Sequence, residues 1–387
     1  MLRLLSIQPV AQRGGSDQAL VQMLQDLPRD DFVCHVVVPE EPAMRRELEA
    51  AGARIHVLPM RRITTGAGLG HWVGYAVAWP VAVWRLWRSV RRLGIDVVHT
   101  NSLHSWYGWA AASLARRPHV WVAREIVVQS RSALLVERFL TRHFATVVVS
   151  MSGAIAAQLD PRDGRVFTDR VDLERFSPRH AGQFRDRHGI SDGVVVVGSA
   201  GRIDVWKGFD VLLDAWDLMM HRRPGDLPPA RLIVAGPPVR GKEAYERALQ
   251  RRAAAMPNVS WLGEIDDVGA FDADLDVFVL ASTQPEPFGL AMVEALACGV
   301  RVIATDHGGP VEVLGGRPDR GRLVAPGDAH ALAAAIEEFT DPARTHEVPS
   351  DTETRRARSP RFDADPPPWA ALFDEVGHRR RRSPAPS

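Results

Sequence analysis

The chain has 387 residues, 45% hydrophobic and 25% charged, with a formal net charge of +1. That length allows two domains with separate cores, and so small a charge excludes the broad cationic field of a nucleic-acid binder. Its two cysteines, Cys34 and Cys298, lie far apart in apolar runs, which offers neither a disulfide framework nor a metal spacing and fits a reducing, cytoplasmic setting.

The first residues, Met1-Leu-Arg-Leu-Leu-Ser-Ile, read directly as a strand and lack the architecture of a cleavable signal. Short β-branched runs then alternate with helical patterns. Strands are expected at 2–7, 32–38, 54–58, 96–100, 119–123 and 146–150, with helices at 17–27, 42–51, 80–93 and 108–115. Near-continuously apolar strands separated by helices predict a parallel, doubly wound sheet. The first strand runs into Gln12-Arg-Gly-Gly-Ser-Asp-Gln. There Gly14 and Gly15 would let the backbone approach a ligand at the sheet's carboxyl edge, although a plain loop explains them equally.

The longest uncharged stretch, Trp72 to Trp84, meets Arg85, Arg88, Arg91 and Arg92. It is too short for a bilayer span, which needs about 20 apolar residues. Pro80 is placed to start a helix, with Arg85, Arg88 and Arg92 on one face and Val83, Leu86 and Val90 on another. Two readings stand. Trp79, Trp84 and Trp87 are core residues of a helix packed on the sheet, or they join Arg85 and Arg88 in a peripheral membrane contact.

Turn-like text from 161 to 189 marks a linker, so the first domain is expected over 1–178 and the second over 179–345. The second repeats the alternation, with strands at 194–200, 231–235, 259–262, 277–281, 300–304 and 321–324. Helices are expected at 208–220, 243–255, 290–298 and 329–339. Ligands of open parallel sheets lie beyond the carboxyl ends of the strands. At those ends stand Gly201, Arg202 and Lys207, then Gly236, then Gly263 and Glu264, then Ser282, Thr283 and Glu286. Asp272 and Asp274 suggest a metal site, but they fall in a helix before a strand, where solvated acids are common. They are set aside.

Around Pro285–Pro310 the pattern is a loop, a short helix, a Gly stop at Gly299 and a strand. The helix is apolar on every side except for Glu294, which predicts a helix buried all round with a carboxylate that needs a partner. The amides of Phe288, Gly289 and Leu290 lie where a helix leaves its first N–H groups unpaired, a place for an anion. Glu286 precedes them. A phosphate-bearing polyol suits this set; a nearby arginine for Glu294 and solvent for Glu286 would also satisfy it.

Gly-Arg-x4-Lys-Gly after a strand, and Glu-x7-Glu within Glu-Pro-Phe-Gly-Leu-Ala-x-Val-Glu-Ala-x-Ala-Cys-Gly-x-x-Val-Ile-Ala-Thr-x-x-Gly-Gly, resemble the family-4 retaining glycosyltransferases of GT-B architecture. The resemblance is close in the second half and one of layout in the first. It implies two Rossmann-like α/β domains facing across a cleft and a nucleotide-diphosphate sugar as co-substrate, with no cofactor and no metal. Arg202 and Lys207 would hold the diphosphate and stabilise its developing charge. Glu286 would bind the sugar hydroxyls, Phe288, Gly289 and Leu290 would meet sugar and phosphate through their peptide groups, and Glu294 would accept from the ribose. The first domain departs from the family's pattern, with Trp121-Val-Ala-Arg124-Glu125 where a histidine is expected and Thr168-Asp-Arg-Val-Asp172 in place of Asn-Gly-Val-Asp. His99 and His104 stand on an earlier strand end as acceptor-side substitutes, or as ordinary residues.

The function expected is transfer of a sugar to a saccharide or lipid-linked saccharide in glycan or cell-envelope polysaccharide synthesis. A nucleotide-sugar epimerase or phosphorylase on the same fold, and a catalytically silent binding subunit, are the rivals. Residues 345–361 are polar and charged, a short helix about 366–377 is expected to return to the first domain, and 378–387 reads as a disordered basic tail.

Overall fold

The computed structural model describes all residues except 12, 13, 62–67, 129, 224, 226, 342–367 and 383–387. The polar segment 345–361 and the end of the basic tail therefore lie outside the described residues. The chain divides into two compact units, Met1–Arg170 with Ala364–Ser387, and Val171–Asp363.

In the first unit β1 (Leu2–Ile7), β2 (Phe32–Val38), β3 (Arg54–Val57), β4 (Val97–Thr100), β5 (His119–Ala123), β6 (Val147–Ser150) and β7 (Gly164–Val166) form one parallel sheet in the order β3-β2-β1-β4-β5-β6-β7. Helices α1 (Gly15–Gln25), α2 (Arg45–Ala50), α3 (Leu69–Arg92), α4 (Tyr107–Ala115), α5 (Arg131–Phe144) and α6 (Gly153–Leu159) connect the strands. Successive strand residues feed opposite faces. Leu4, Val36 and Val97 join the core under α1 and α2, whereas Leu5, Val37 and Val98 join the core under α3 and α4.

Helix α3 begins eleven positions before Pro80, which sits inside it. Proline there removes one donor and leaves the Ala76 carbonyl without its helical partner. Ala76 and Pro80 both lie on the exposed side, where water can satisfy that carbonyl. The expectation that Pro80 starts the helix is corrected accordingly.

In the second unit β8 (Val195–Ala200), β9 (Ala230–Ala235), β10 (Val259–Gly263), β11 (Val277–Leu280), β12 (Arg301–Thr305) and β13 (Gly321–Val324) form a parallel sheet in the order β10-β9-β8-β11-β12-β13. Its helices are α7 (Gln183–His188), α8 (Phe209–Arg222), α9 (Glu243–Ala254), α10 (Val268–Ala273), α11 (Leu290–Ala297), α12 (Gly309–Leu314) and α13 (Ala329–Thr340). Trp216 of α8 and Phe271 of α10 are fully buried in its two cores, and each such side chain contributes about 1.5–3 kcal/mol of apolar burial.

The acids set aside as solvated are buried. Asp274 accepts from the amides of Phe184 (2.7 Å) and Arg185 (2.9 Å) and so anchors the start of α7. Asp272 has both oxygens buried without a hydrogen-bond partner, and burial, reinforced by the Glu294 carboxylate, pushes its pKa well above the usual range.

The last helix, α14 (Trp369–Arg382), belongs to the first unit. Phe373 packs edge-on to Phe32 and to His99, while Trp369 meets Phe167. The helix runs through 378–382, so that part of the expected disordered tail is helical; Arg379 is held there by Asp163 at 2.9 Å and by Glu375.

Candidate donor site in the second unit

Four strand ends of the second sheet carry the residues that matter, and glycines let the backbone approach there. Gly201 follows β8 and Gly236 follows β9, with φ of 156° and 148°. A Cβ on Gly236 would stand 1.8 Å from the Gly201 carbonyl, so no side chain fits between these turns. Gly208 caps α8 in the left-handed region (φ 69°), and a Cβ on it would lie 2.0 Å from the Ala281 carbonyl. That close approach, with the Thr283 amide donating to the Trp206 carbonyl at 2.7 Å, seats the Arg202–Lys207 segment beside the end of β11.

The consequence is a contact between residues 79 positions apart. Lys207 Nζ donates to both carboxylate oxygens of Glu286, at 2.8 and 2.9 Å, and stands 4.4 Å from the centre of the Trp206 ring. Ser282 Oγ donates to Glu286 Oε2 at 2.7 Å, and Thr305 Oγ1 donates to the Ser282 carbonyl at 2.8 Å. The pair is largely buried. Since an ammonium has three N–H donors and two are engaged here, one remains for an incoming acceptor group. The solvated-loop reading of Glu286 is thereby excluded.

The loop that holds Glu286 is fixed from the other side. The Gly309 amide donates to the Glu286 carbonyl at 2.8 Å, and Gly308 pairs with Glu286 in a parallel bridge. A Cβ on Gly309 would lie 2.5 Å from the Phe288 backbone. Phe288 is buried, and Gly289 (φ 86°) is the N-cap of α11, whose first residue is Leu290. Helix α11 is not buried all round. Met292, Val293, Ala295, Leu296 and Ala297 face the core, whereas Leu290, Ala291 and Glu294 are half-buried along one side. The alternation of small and large apolar residues does not reveal that open side.

Arg202 is exposed just after β8. The second unit therefore gathers Gly201, Lys207, Gly236, Glu286, Phe288, Gly289 and Leu290 around one sheet edge, with Arg202 exposed and Glu294 half-buried. Ser282, expected at the β11 strand end, belongs to the same constellation, as do Gly308 and Gly309, whose Gly-Gly-Pro run closes the loop, helix and strand pattern.

Gly15 lies in the first unit, as the first residue of α1. Around it the ends of β1, β4 and β5 form a polar network. Gln8 Nε2 donates to Asp17 Oδ1 (3.0 Å), Asn101 Nδ2 to Gln8 Oε1 (2.8 Å), and Arg124 to Asn101 Oδ1 and Asp169 Oδ2 (both 2.7 Å). Arg124, where a histidine was expected, is thus a clamp on the segment that leaves the unit. Burial raises Asp17 to about 6, against the hydrogen bonds from Gln8 and Ser16. His104 lines a cavity of about 50 Å³ with Ser16, Asn101 and Glu125, and its Nδ1 is 3.6 Å from Glu137. His99 does not join them. It is fully buried, bonded to Ser6 Oγ at 3.0 Å, and burial lowers its pKa to about 3. Its place among acceptor-side residues is corrected: it is a core histidine under α14.

Among the described residues no cluster of three or more His, Cys, Asp or Glu is arranged for a metal ion, and no helix is long and apolar enough to cross a membrane.

Two open parallel α/β sheets with polar groups gathered beyond the carboxyl ends of their strands are the arrangement in which doubly wound folds hold ligands. Residues 14–173 match the family model "Glycosyl transferase 4-like domain" and residues 194–341 match "Glycosyl transferases group 1". The chain belongs to the family-4 glycosyltransferases, with the GT-B fold. It is 32% identical to the lipopolysaccharide core biosynthesis mannosyltransferase LpsB of Rhizobium meliloti (strain 1021) over 209 residues, 53% of this chain and 58% of that protein. The chain thus spans little more than half of that relative. It is 28% identical over 339 residues to a GDP-mannose-dependent alpha-mannosyltransferase of Mycobacterium tuberculosis (strain CDC 1551 / Oshkosh), 81% of each chain. Anabaena Alr3699/HepE in complex with UDP and glucose superposes with a TM-score of 0.76 at 23% identity, covering 99% of this chain and 100% of that one, which speaks to the fold.

Proposed function

We propose that the protein is a retaining glycosyltransferase that moves a hexose from a nucleotide-diphosphate sugar to a saccharide or lipid-linked saccharide in cell-envelope glycan synthesis. The observation that carries this reading is the Lys207–Glu286–Ser282 contact at the carboxyl edge of the second sheet. The residue roles that the family resemblance implies are assigned to it as follows. Glu286, held by Ser282 and Lys207, offers carboxylate lone pairs to sugar hydroxyls. Lys207 directs its remaining N–H, and Arg202 its guanidinium, at the diphosphate. Glu294, on the open side of α11, accepts from the ribose.

As the glycosidic C–O bond breaks, its electron pair stays on the diphosphate oxygen. Arg202, Lys207 and the first amides of α11 neutralise that charge, the role a divalent ion plays elsewhere; a single contact of this kind is worth about 2.7–4 kcal/mol. The acceptor hydroxyl adds on the face the leaving group departs from, and its proton passes to the departing phosphate oxygen. No protein nucleophile is required. The first unit's cluster of Gln8, Asn101, His104 and Glu125 offers donors and acceptors suited to sugar hydroxyls.

The test is to supply the purified chain with sugar nucleotides and saccharide acceptors and to assign the product anomer by NMR, with and without EDTA. Transfer with retained configuration that survives EDTA is expected. Interconversion of the donor without an acceptor, or transfer with inversion, would refute the reading.

A further inference from the structure

The sheet face covered by α3, α4 and α5 carries an apolar surface that its packing does not use. On α3, Tyr75, Val83, Leu86 and Val90 point into the core. On its outer side Val73, Val77, Val81 and Trp84 form a stripe at helical spacing, with Val77 70% and Trp84 50% exposed. Trp79 and Trp87 are half-buried against that core. The membrane contact expected through Trp79, Trp84 and Trp87 therefore retains only Trp84, and the valines, which the sequence did not single out, take the place of the other two.

On the inner side of α3, half-buried rings run towards α5: Trp79 to Trp109 of α4 at 6.0 Å and Trp109 to Phe144 of α5 at 4.3 Å, with Phe144 in turn 6.3 Å from Phe139. On α5, Leu135 and Phe139 are 63% and 55% exposed. Ordinary soluble surfaces scatter such residues singly; contiguous ones mark an interaction.

Charge selects the partner. Helix α3 carries Arg85, Arg88, Arg91 and Arg92, all exposed, and no Asp or Glu. Arg88 stacks over Trp84 at 5.5 Å, so cation and indole end on one surface. A second copy meeting this face isologously would bring the same patch, with no carboxylate on α3 to answer the arginines. An anionic bilayer answers both features, lipid tails for the valines and headgroup phosphates for the arginines.

We propose that the outer face of α3 docks on an anionic lipid surface. Helix α14 takes no part, since its buried residues join the core on the other face of the sheet from α3. This goes beyond the sugar-transfer reading and does not depend on it.

The test is flotation of the full chain with phosphatidylcholine vesicles and with vesicles containing roughly one third phosphatidylglycerol, at low and high salt. Wild type should float with the anionic vesicles, and Val77→Glu/Val81→Glu and Arg85→Glu/Arg88→Glu should each bind at least about tenfold more weakly, as should wild type at high salt. Both valines are surface residues, and circular dichroism checks the fold; Val77→Glu alone serves if the double variant is impaired. Wild type that ignores anionic vesicles would overturn the proposal, as would variants that float as wild type does. A concentration-dependent dimer dispersed by Val77→Glu without vesicle binding would give the face to a second copy and overturn it equally.

Discussion

At the scale of single residues the account rests on Lys207, Glu286 and Ser282. Lys207→Ala removes a cation from the leaving diphosphate and should lower kcat by on the order of 10²–10³, with circular dichroism unchanged. Ser282→Ala deletes one hydrogen bond to the Glu286 carboxylate, and a loss of about tenfold in kcat/KM is expected from that bond's strength. If steady-state kinetics show Ser282→Ala equal to wild type, Glu286 does not need its present orientation. Asp17 yields a stability prediction with a definite sign. Its folded pKa is raised, to about 6, so the stability it contributes is full below its unfolded value and is lost as pH rises through about 6. Asp17→Asn stays neutral and avoids that loss. Between pH 4 and pH 7 its stability should rise relative to wild type, by about 2 kcal/mol at one pKa unit per 1.36 kcal/mol. Urea midpoints at both pH values measure this, and a gap that stays flat with pH contradicts it.

At the scale of elements, the long apolar strands and the punctuated helices were legible, because period and Gly/Pro stops are local properties of the text. What was not legible depended on tertiary context. Helix α3 runs through Pro80 because its free carbonyl faces water, which no window of sequence reveals. Helix α5 went unmarked since Leu140 turns deeply inward beside two polar residues, Glu137 and Thr141, while Leu135, Val136 and Phe139 stay outside. Asp274 looked solvated and proved to be the anchor of a helix 90 positions earlier. The site was legible as residue types at strand ends; the bond between Lys207 and Glu286 was not, for it depends on how closely Gly208 lets its backbone approach Ala281. That yields a further prediction. Gly208→Ala would put a methyl 2.0 Å from the Ala281 carbonyl at a φ of 69°, and should lower the thermal midpoint and impair donor binding together. An unchanged midpoint in scanning calorimetry would show that the turn can relax.

At the scale of the whole molecule, two parallel sheets with their own cores divide the chain between Arg170 and Val171, a few residues before the boundary the linker's composition suggested at 178. Each unit places its polar cluster at the carboxyl edge of its sheet, as open α/β folds do. The clusters differ in kind. The second unit offers cations beside a helix start, the first a network of amides and carboxyl groups braced by Arg124 and Asp169. In the proposed function the nucleotide sugar belongs to the second unit. The most direct measurement of that assignment is the thermal shift of the purified chain against a panel of nucleotide-diphosphate sugars, repeated with Lys207→Ala, Glu286→Ala and Glu294→Ala. At least one donor should raise the wild-type midpoint, and all three variants should lose most of the shift. A panel without effect on wild type, or variants that shift as far as wild type does, would contradict it.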